Sequence, residues 1–214
     1  MRLFKLNDTV LSLKGNADGF LNGLTSNTLE ASLNAFLNQH GRIIATFRQK
    51  RTSDEEFLIA VPVVAVENLL KHLERYARLS HVKLEPSALG TYMDADTGTV
   101  LWEAAAHAGS VFDEEFTRFR LDRQVPLMGV DYQADEFILN VHEYNYVSYT
   151  KGCFLGQEPV AKVHNRSKPT RKLTVKFEDE CSPEEAARMT SQLRDPAGGR
   201  RQGFVFVSNL GKTS

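Results

Sequence analysis

Apolar positions recur along this chain with two different periods, and the switches between them set the predicted elements. Residues 1–13 alternate over short stretches and predict one or two strands, turned at Asn7-Asp8. Asn16 stands as an N-cap ahead of Phe20, Leu21 and Leu24, which would share a face of a short helix. Leu29, Leu33, Phe36 and Leu37 repeat at helical spacing, so a second helix is expected, ended by Gly41. Residues 43–47 and 56–61 read as strands joined by a polar hairpin turn over 49–54. Pro62 then opens the clearest helix. Val66, Leu69, Leu70, Leu73, Tyr76 and Ala77 form its apolar stripe, with Glu67, Lys71, Glu74, Arg75 and Arg78 outside.

Further strands are predicted at 82–84 and 99–102, giving a strand–helix–strand unit. Residues 113–124 turn helical, with Phe116, Phe119, Arg120 and Arg123 along a face, and Val125-Pro126 ends the helix. Residues 144–149 are aromatic and β-prone, and 161–176 is expected to be extended. Ser182-Pro183-Glu184-Glu185 is a capped helix start, Ala197-Gly198-Gly199 a turn, and 203–207 a last strand. No internal repeat or low-complexity linker interrupts this order, and the fold class it implies is α+β.

Composition narrows the function classes. The 214 residues suffice for a sizeable core without staples. A net charge of −1 supplies no global attraction to nucleic acid or acidic membrane, so any anion site must be a local patch. Two cysteines, Cys153 and Cys181, make neither a disulfide framework nor a metal quartet, and no metal site is expected. No apolar run approaches the roughly 18 residues of a membrane span. The N-terminus lacks the apolar core of a secretory signal, so the expected compartment is the cytoplasm, or the mitochondrial matrix in a eukaryote.

Candidate chemistry concentrates in Lys151-Gly152-Cys153-Phe154-Leu155-Gly156-Gln157-Glu158. Glycines bracketing a cysteine allow a sharp loop and close approach of backbone to a ligand. A cation such as Lys151 beside the thiol would favour the thiolate. The alternative is a buried, inert cysteine between turn glycines. Downstream, Lys162, His164, Arg166 and Lys168 alternate, so a strand would gather them on one basic face, followed by Arg171 and Lys172. Such a stripe suits a polyglutamyl tail or RNA phosphates, or is a solvated edge strand. Tyr144, Tyr146, Tyr149, Phe154 and Trp102 are either stacking surface or core. A cysteine hydrolase pairing Cys153 with His142 or His164 has no supporting context in the sequence.

The segment 151–158 resembles the signature Lys-Gly-Cys-[Tyr/Phe]-x-Gly-Gln-Glu of the YgfZ/GcvT-like folate-binding family, relatives of the glycine-cleavage aminomethyltransferase. Residues 15–21 are similar to its Gly-x-Asp-Ala-x-x-Phe-Leu opening in shifted, degraded form. Residues 36–43 resemble its Phe-Leu-x-x-x-Gly-Arg-Ile stretch, residues 120–131 its Arg-Leu-Glu to Gly-x-Asp segment, and residues 166–173 its later arginines.

That resemblance implies a central folate-binding domain from 1–47 and 113–165 and an inserted ferredoxin-like α+β unit over 48–112. An abbreviated β-barrel-like piece over 166–214 would follow, with the signature loop facing a central channel. It implies tetrahydrofolate as a non-covalent cofactor. Cys153 and Lys151 would form the reactive pair. Asp122, Gly152, Phe154, Gly156, Gln157, Glu158 and Arg166 would hold the folate, Asp122 at the place of a glutamate that binds the pterin. The aspartate that serves aminomethyl transfer in the relatives has no counterpart in Gly41-Arg42-Ile43-Ile44-Ala45-Thr46-Phe47. Gln124 replaces a usual glycine, and Val141 a usual proline before Glu143. The branch with this signature implies upkeep of iron–sulfur enzymes, tRNA-modifying ones included. Client enzymes or assembly proteins would be partners, with no direct nucleic acid and no membrane. A folate-dependent aminomethyltransferase is the alternative.

Overall fold

The computed structural model describes residues 2–104, 113–142 and 145–209. Glu143 and Tyr144, named above, lie outside the described residues. The elements in chain order are β1 (Leu3–Lys5), β2 (Asp8–Gly15), α1 (Ala17–Leu24), β3 (Leu33–Leu37), β4 (Ile43–Ser53), β5 (Glu56–Pro62), α2 (Val63–Leu79) and β6 (Val82–Pro86). There follow β7 (Gly90–Asp94), β8 (Val100–Glu103), α3 (Asp113–Arg123), α4 (Ile138–Val141), α5 (Gln157–Arg166), β9 (Arg171–Phe177), α6 (Pro183–Ala187), β10 (Thr190–Arg194) and β11 (Arg201–Ser208). The strands form three antiparallel sheets, ordered β3-β4-β5-β2-β6, β1-β7-β8 and β10-β11-β9.

The five-stranded sheet carries the main core. Strand alternation sends Phe57, Ile59 and Val61 of β5 into it, and Leu58 and Ala60 into a smaller cluster with Val10, Leu89 and Trp102 on the opposite face. In α2, Ala65, Leu69, Leu73 and Ala77 recur every fourth residue and are buried; Leu69, Leu73 and Ala77 belong to the predicted stripe, Ala65 does not, and the stripe's Leu70 is exposed. Asn16 caps α1 by accepting from Gly19 N, and Ser182 with Glu185 closes a capping box on α6.

Four expectations fail, the first being the hairpin turn over 49–54, most of which is strand, since β4 runs on to Ser53 and pairs with β5. Residues 33–37 form a strand, not a helix. β3 pairs with β4 and its residues 34–37 are buried on both faces, so the apolar run loses the alternation that marks a one-sided strand. Residues 161–176 are not continuously extended: α5 occupies the first part and β9 the last. Residues 145–149 form no strand. The segment is instead held by Ser148 N donating to Ser26 O and by Ser26 Oγ donating to Tyr146 O. β7 is an element the sequence reading missed.

The expected boundary at 47/48 falls inside β4, and the described part of the inserted unit, residues 48–104, contributes to two sheets. The third sheet, an open one, lies wholly within 171–208. It is tied to α3 by Arg120, whose Nη1 is 2.6 Å from Asp131 Oδ2 and whose Nη2 donates to Ser191 Oγ at 2.7 Å. Asp131 also accepts from Thr190 and Ser191, so the carboxylate of this buried pair is well compensated, whereas Arg120 Nε is buried without a partner among the described residues. Among the described residues no helix is long and apolar enough to cross a membrane.

Candidate functional site

The signature loop is built by packing, not by its thiol. Phe154 enters the main core, and Leu155 N donates to Gly23 O at 3.0 Å. Gly156 has φ +85°, and a Cβ there would run into the Asn38 carbonyl. Gly41, at φ +71°, closes the facing turn. The side chain of Lys151 turns inward, its Nζ donating to Thr25 O at 2.6 Å and Asn27 O at 2.8 Å, 5.3 Å from the Phe154 ring centre. Thr25 is the C-cap of α1, so the ammonium sits at the negative end of a helix. Burial pushes its pKa down to about 8, against which the two carbonyls favour the charged form. The ammonium is therefore not turned to the thiol. Cys153 is exposed and without a hydrogen-bond partner among the described residues, and Gly152 is exposed beside it.

Two clefts share part of their walls, and no residue of 151–158 lines either. One, of about 420 Å³, is walled by Asp8, Thr46, Phe116, Met128 and Tyr132. The other, of about 560 Å³, is walled by Gln49, Trp102, Phe119, Arg123 and His142. Both share Arg48, Pro126 and Tyr146. Each is of the size that small-molecule sites have, and each mixes aromatic faces with a few polar groups.

The polar groups come from separate elements. Arg48 Nη1 of β4 is 3.3 Å from Asp8 Oδ2 of β2, and Thr91 Oγ1 of β7 donates to the same oxygen at 3.1 Å. Burial pushes the Asp8 carboxyl pKa up, outweighing the pull of Arg48 and Thr91. Tyr132 OH lies 2.7 Å from Thr46 Oγ1 and 2.9 Å from His142 Nε2. Burial, with the Arg48 charge adding to it, pushes the His142 pKa down to about 3, so the ring is neutral at pH 7. It packs 4.0 Å from the Tyr146 ring.

A hydrogen-bonded path joins the signature loop to the second cleft. Lys151 binds Asn27 O, Asn27 N donates to Asn34 Oδ1, and Asn34 Nδ2 donates to the cleft-wall residue Gln49 at 3.3 Å.

The other predicted residues are scattered. Asp122 is exposed on α3 and lines neither cleft, although its neighbour Arg123 lines the second. Glu158 is exposed in the first turn of α5 and Arg166 at its end. The expected basic face does not form: in α5, Lys162 and Arg166 share a side that His164 does not, and His164 stacks on Tyr149 at 3.6 Å. Phe154 and Gln157 line a separate cleft of about 130 Å³. Neither His142 nor His164 bonds Cys153. Sequence reasoning missed Asp8, Thr46, Arg48 and Tyr132. Arg48 carried a signal, a charge just inside an apolar strand run, but reading 49–54 as a turn made it look like a strand end. Among the described residues no three His, Cys, Asp or Glu gather as metal ligands.

No protein-family model matches the chain. Over 96% of its length it superposes on the crystal structure of glycine cleavage system aminomethyltransferase T from Bartonella henselae, with a TM-score of 0.71 and 13% sequence identity, covering 78% of that chain. At that identity the likeness is one of fold, and the fold is GcvT-like: α+β, with antiparallel sheets and, among the described residues, no closed barrel.

Proposed function

We propose that this chain binds tetrahydrofolate non-covalently and acts in the assembly or repair of iron–sulfur enzymes, tRNA-modifying ones included. The observation that carries the folate part is the pair of aromatic-lined clefts sharing Arg48 in a GcvT-like fold. A pterin, a benzoyl ring and an acidic tail together need two joined spaces and a cation near their junction. The repair part rests on the likeness of 151–158 to the YgfZ-type signature and on the exposed Cys153. The client enzyme or assembly protein would meet the loop at that thiol. Calorimetry with tetrahydrofolate tests the first part: absence of heat at millimolar ligand overturns it. For the second, Cys153→Ala should abolish activity in a cluster-repair assay while the melting temperature stays put. Retained repair activity overturns it.

A folate-dependent one-carbon transferase is the second reading. What favours it is Asp8, a buried carboxylate in the first cleft, although residues 41–47, the stretch that corresponds to the relatives' aspartate-bearing strand, hold no carboxylate. Product formed from an aminomethyl donor only when tetrahydrofolate is present would establish it.

A further inference from the structure

On the wall of the first cleft, Asp8 and Arg48 form a polar pair with unused capacity. Asp8 Oδ2 is occupied by Arg48 and Thr91, whereas Asp8 Oδ1 has no hydrogen-bond partner among the described residues. Arg48 engages only Nη1 there, leaving its other N–H groups without a partner among those residues. Other polar groups nearby are partly committed: Tyr132 bonds both Thr46 and His142, and Arg120 bonds Asp131 and Ser191, its buried Nε alone without a partner among the described residues. We propose that Asp8 and Arg48 together recognise the lactam edge, H–N–C=O, of a flat neutral heterocycle, the pterin ring of a reduced folate.

Asp8 Oδ1 accepts the ring N–H, and Arg48 donates to the ring carbonyl. The pair is neutral overall, so the cleft favours an uncharged ring over an anion. A donor–acceptor edge matches an acceptor beside a donor on one wall. Phe116, Tyr132 and Tyr146 supply ring faces in the same cleft, and burial strengthens each polar contact. The burial of the Asp8 carboxylate is costly as it stands: with Oδ1 unpartnered among the described residues and its pKa raised by burial, it is short of compensation, which a ring N–H would provide. Through the shared Arg48 and Tyr146, the rest of the ligand reaches the second cleft. There Trp102 and Phe119 suit the benzoyl ring, and Arg123 suits the carboxylate tail. Two other carboxylates compete for the role. Asp113 lines the first cleft but is exposed, and Asp122 lines neither.

This assignment rests on the folate reading, and the test separates the two. Full-length protein is titrated with tetrahydrofolate, with 6-methyltetrahydropterin as the ring alone, and with 4-aminobenzoylglutamate as the tail alone. Asp8→Asn should weaken the first two at least tenfold and leave the third unchanged. Unchanged ring binding in Asp8→Asn overturns the assignment, as does a loss that follows Asp122→Asn or Asp113→Asn instead. Should Asp8→Asn fail to fold, the unaltered protein decides. A tetrahydropterin methylated at its ring N–H should bind at least tenfold more weakly than the parent, and equal binding overturns the assignment. Unaltered protein that binds no tetrahydrofolate overturns the folate reading itself.

Discussion

The ammonium of Lys151 lies 2.8 Å from the carbonyl oxygen of Asn27 and 2.6 Å from that of Thr25, and makes no hydrogen bond to the thiol two residues along. Lys151 is thus a fastener between the signature loop and the end of α1. Lys151→Met leaves the Thr25 and Asn27 carbonyls short of a donor and should cost about 1–3 kcal/mol in denaturant unfolding. The iodoacetamide rate of Cys153 should not change. A several-fold fall in that rate would show that the ammonium reaches the sulfur after all.

The two glycines of the loop should behave oppositely. Gly156→Ala forces a side chain onto a left-handed backbone and into the Asn38 carbonyl, and should destabilise by about 2 kcal/mol or more. Gly152 is open on its Cβ side, so Gly152→Ala should stay within about 0.5 kcal/mol. Equal melting temperatures for the two variants would refute the clamp between 156 and the 38–41 turn.

His142 makes stability depend on pH with a definite sign. Its folded pKa, about 3, lies below its ordinary value of 6.5, so below pH 6.5 the unfolded chain takes up a proton that the folded one refuses. That favours unfolding increasingly as pH falls from 6.5 towards 3, by about 2 kcal/mol at pH 5. Asp8, with a raised pKa, acts in the opposite sense at lower pH. The clean measurement is the difference between the natural protein and His142→Gln across pH 5–8. The natural protein should lose stability relative to the variant on the acid side, and parallel curves would contradict a buried neutral imidazole.

Gln124 follows α3 with φ +51°, at a place where glycine was the expected residue. Gln124→Gly removes the steric cost of that conformation, at the expense of a more flexible unfolded chain. The net should be a gain of up to about 1 kcal/mol, seen as a melting temperature raised by a few degrees. A lowered melting temperature would mean that the glutamine side chain holds something that the backbone alone does not.

Helices announced by an apolar stripe or a cap were legible: α1 by Asn16 and Phe20, α2 by Leu69 and Leu73, α6 by Ser182 and Glu185. β3 was not, because burial of both faces erases the alternation on which the distinction depends. α5 was misread from its cations, which alternate. Its apolar residues Val160 and Val163, three apart, held the true period. The signature loop was visible as a motif, and its glycine at 156 proved structural for the reason a motif suggests, close backbone approach.

What the local pattern decided is the set of elements that a single period can specify, and the position of the one loop with an exposed cysteine. Tertiary structure decided which groups meet. Asp8, Thr46, Arg48, Tyr132 and His142 are up to 134 residues apart by their own numbers and share cleft walls only because β2, β4 and the 128–142 segment converge. Burial then sets their charges: a neutral histidine, a paired carboxylate, a lysine turned to carbonyls. Periodicity reports which face of an element is apolar. It says nothing about which polar side chains two distant elements bring within 3 Å of each other, and that is where the candidate chemistry lies.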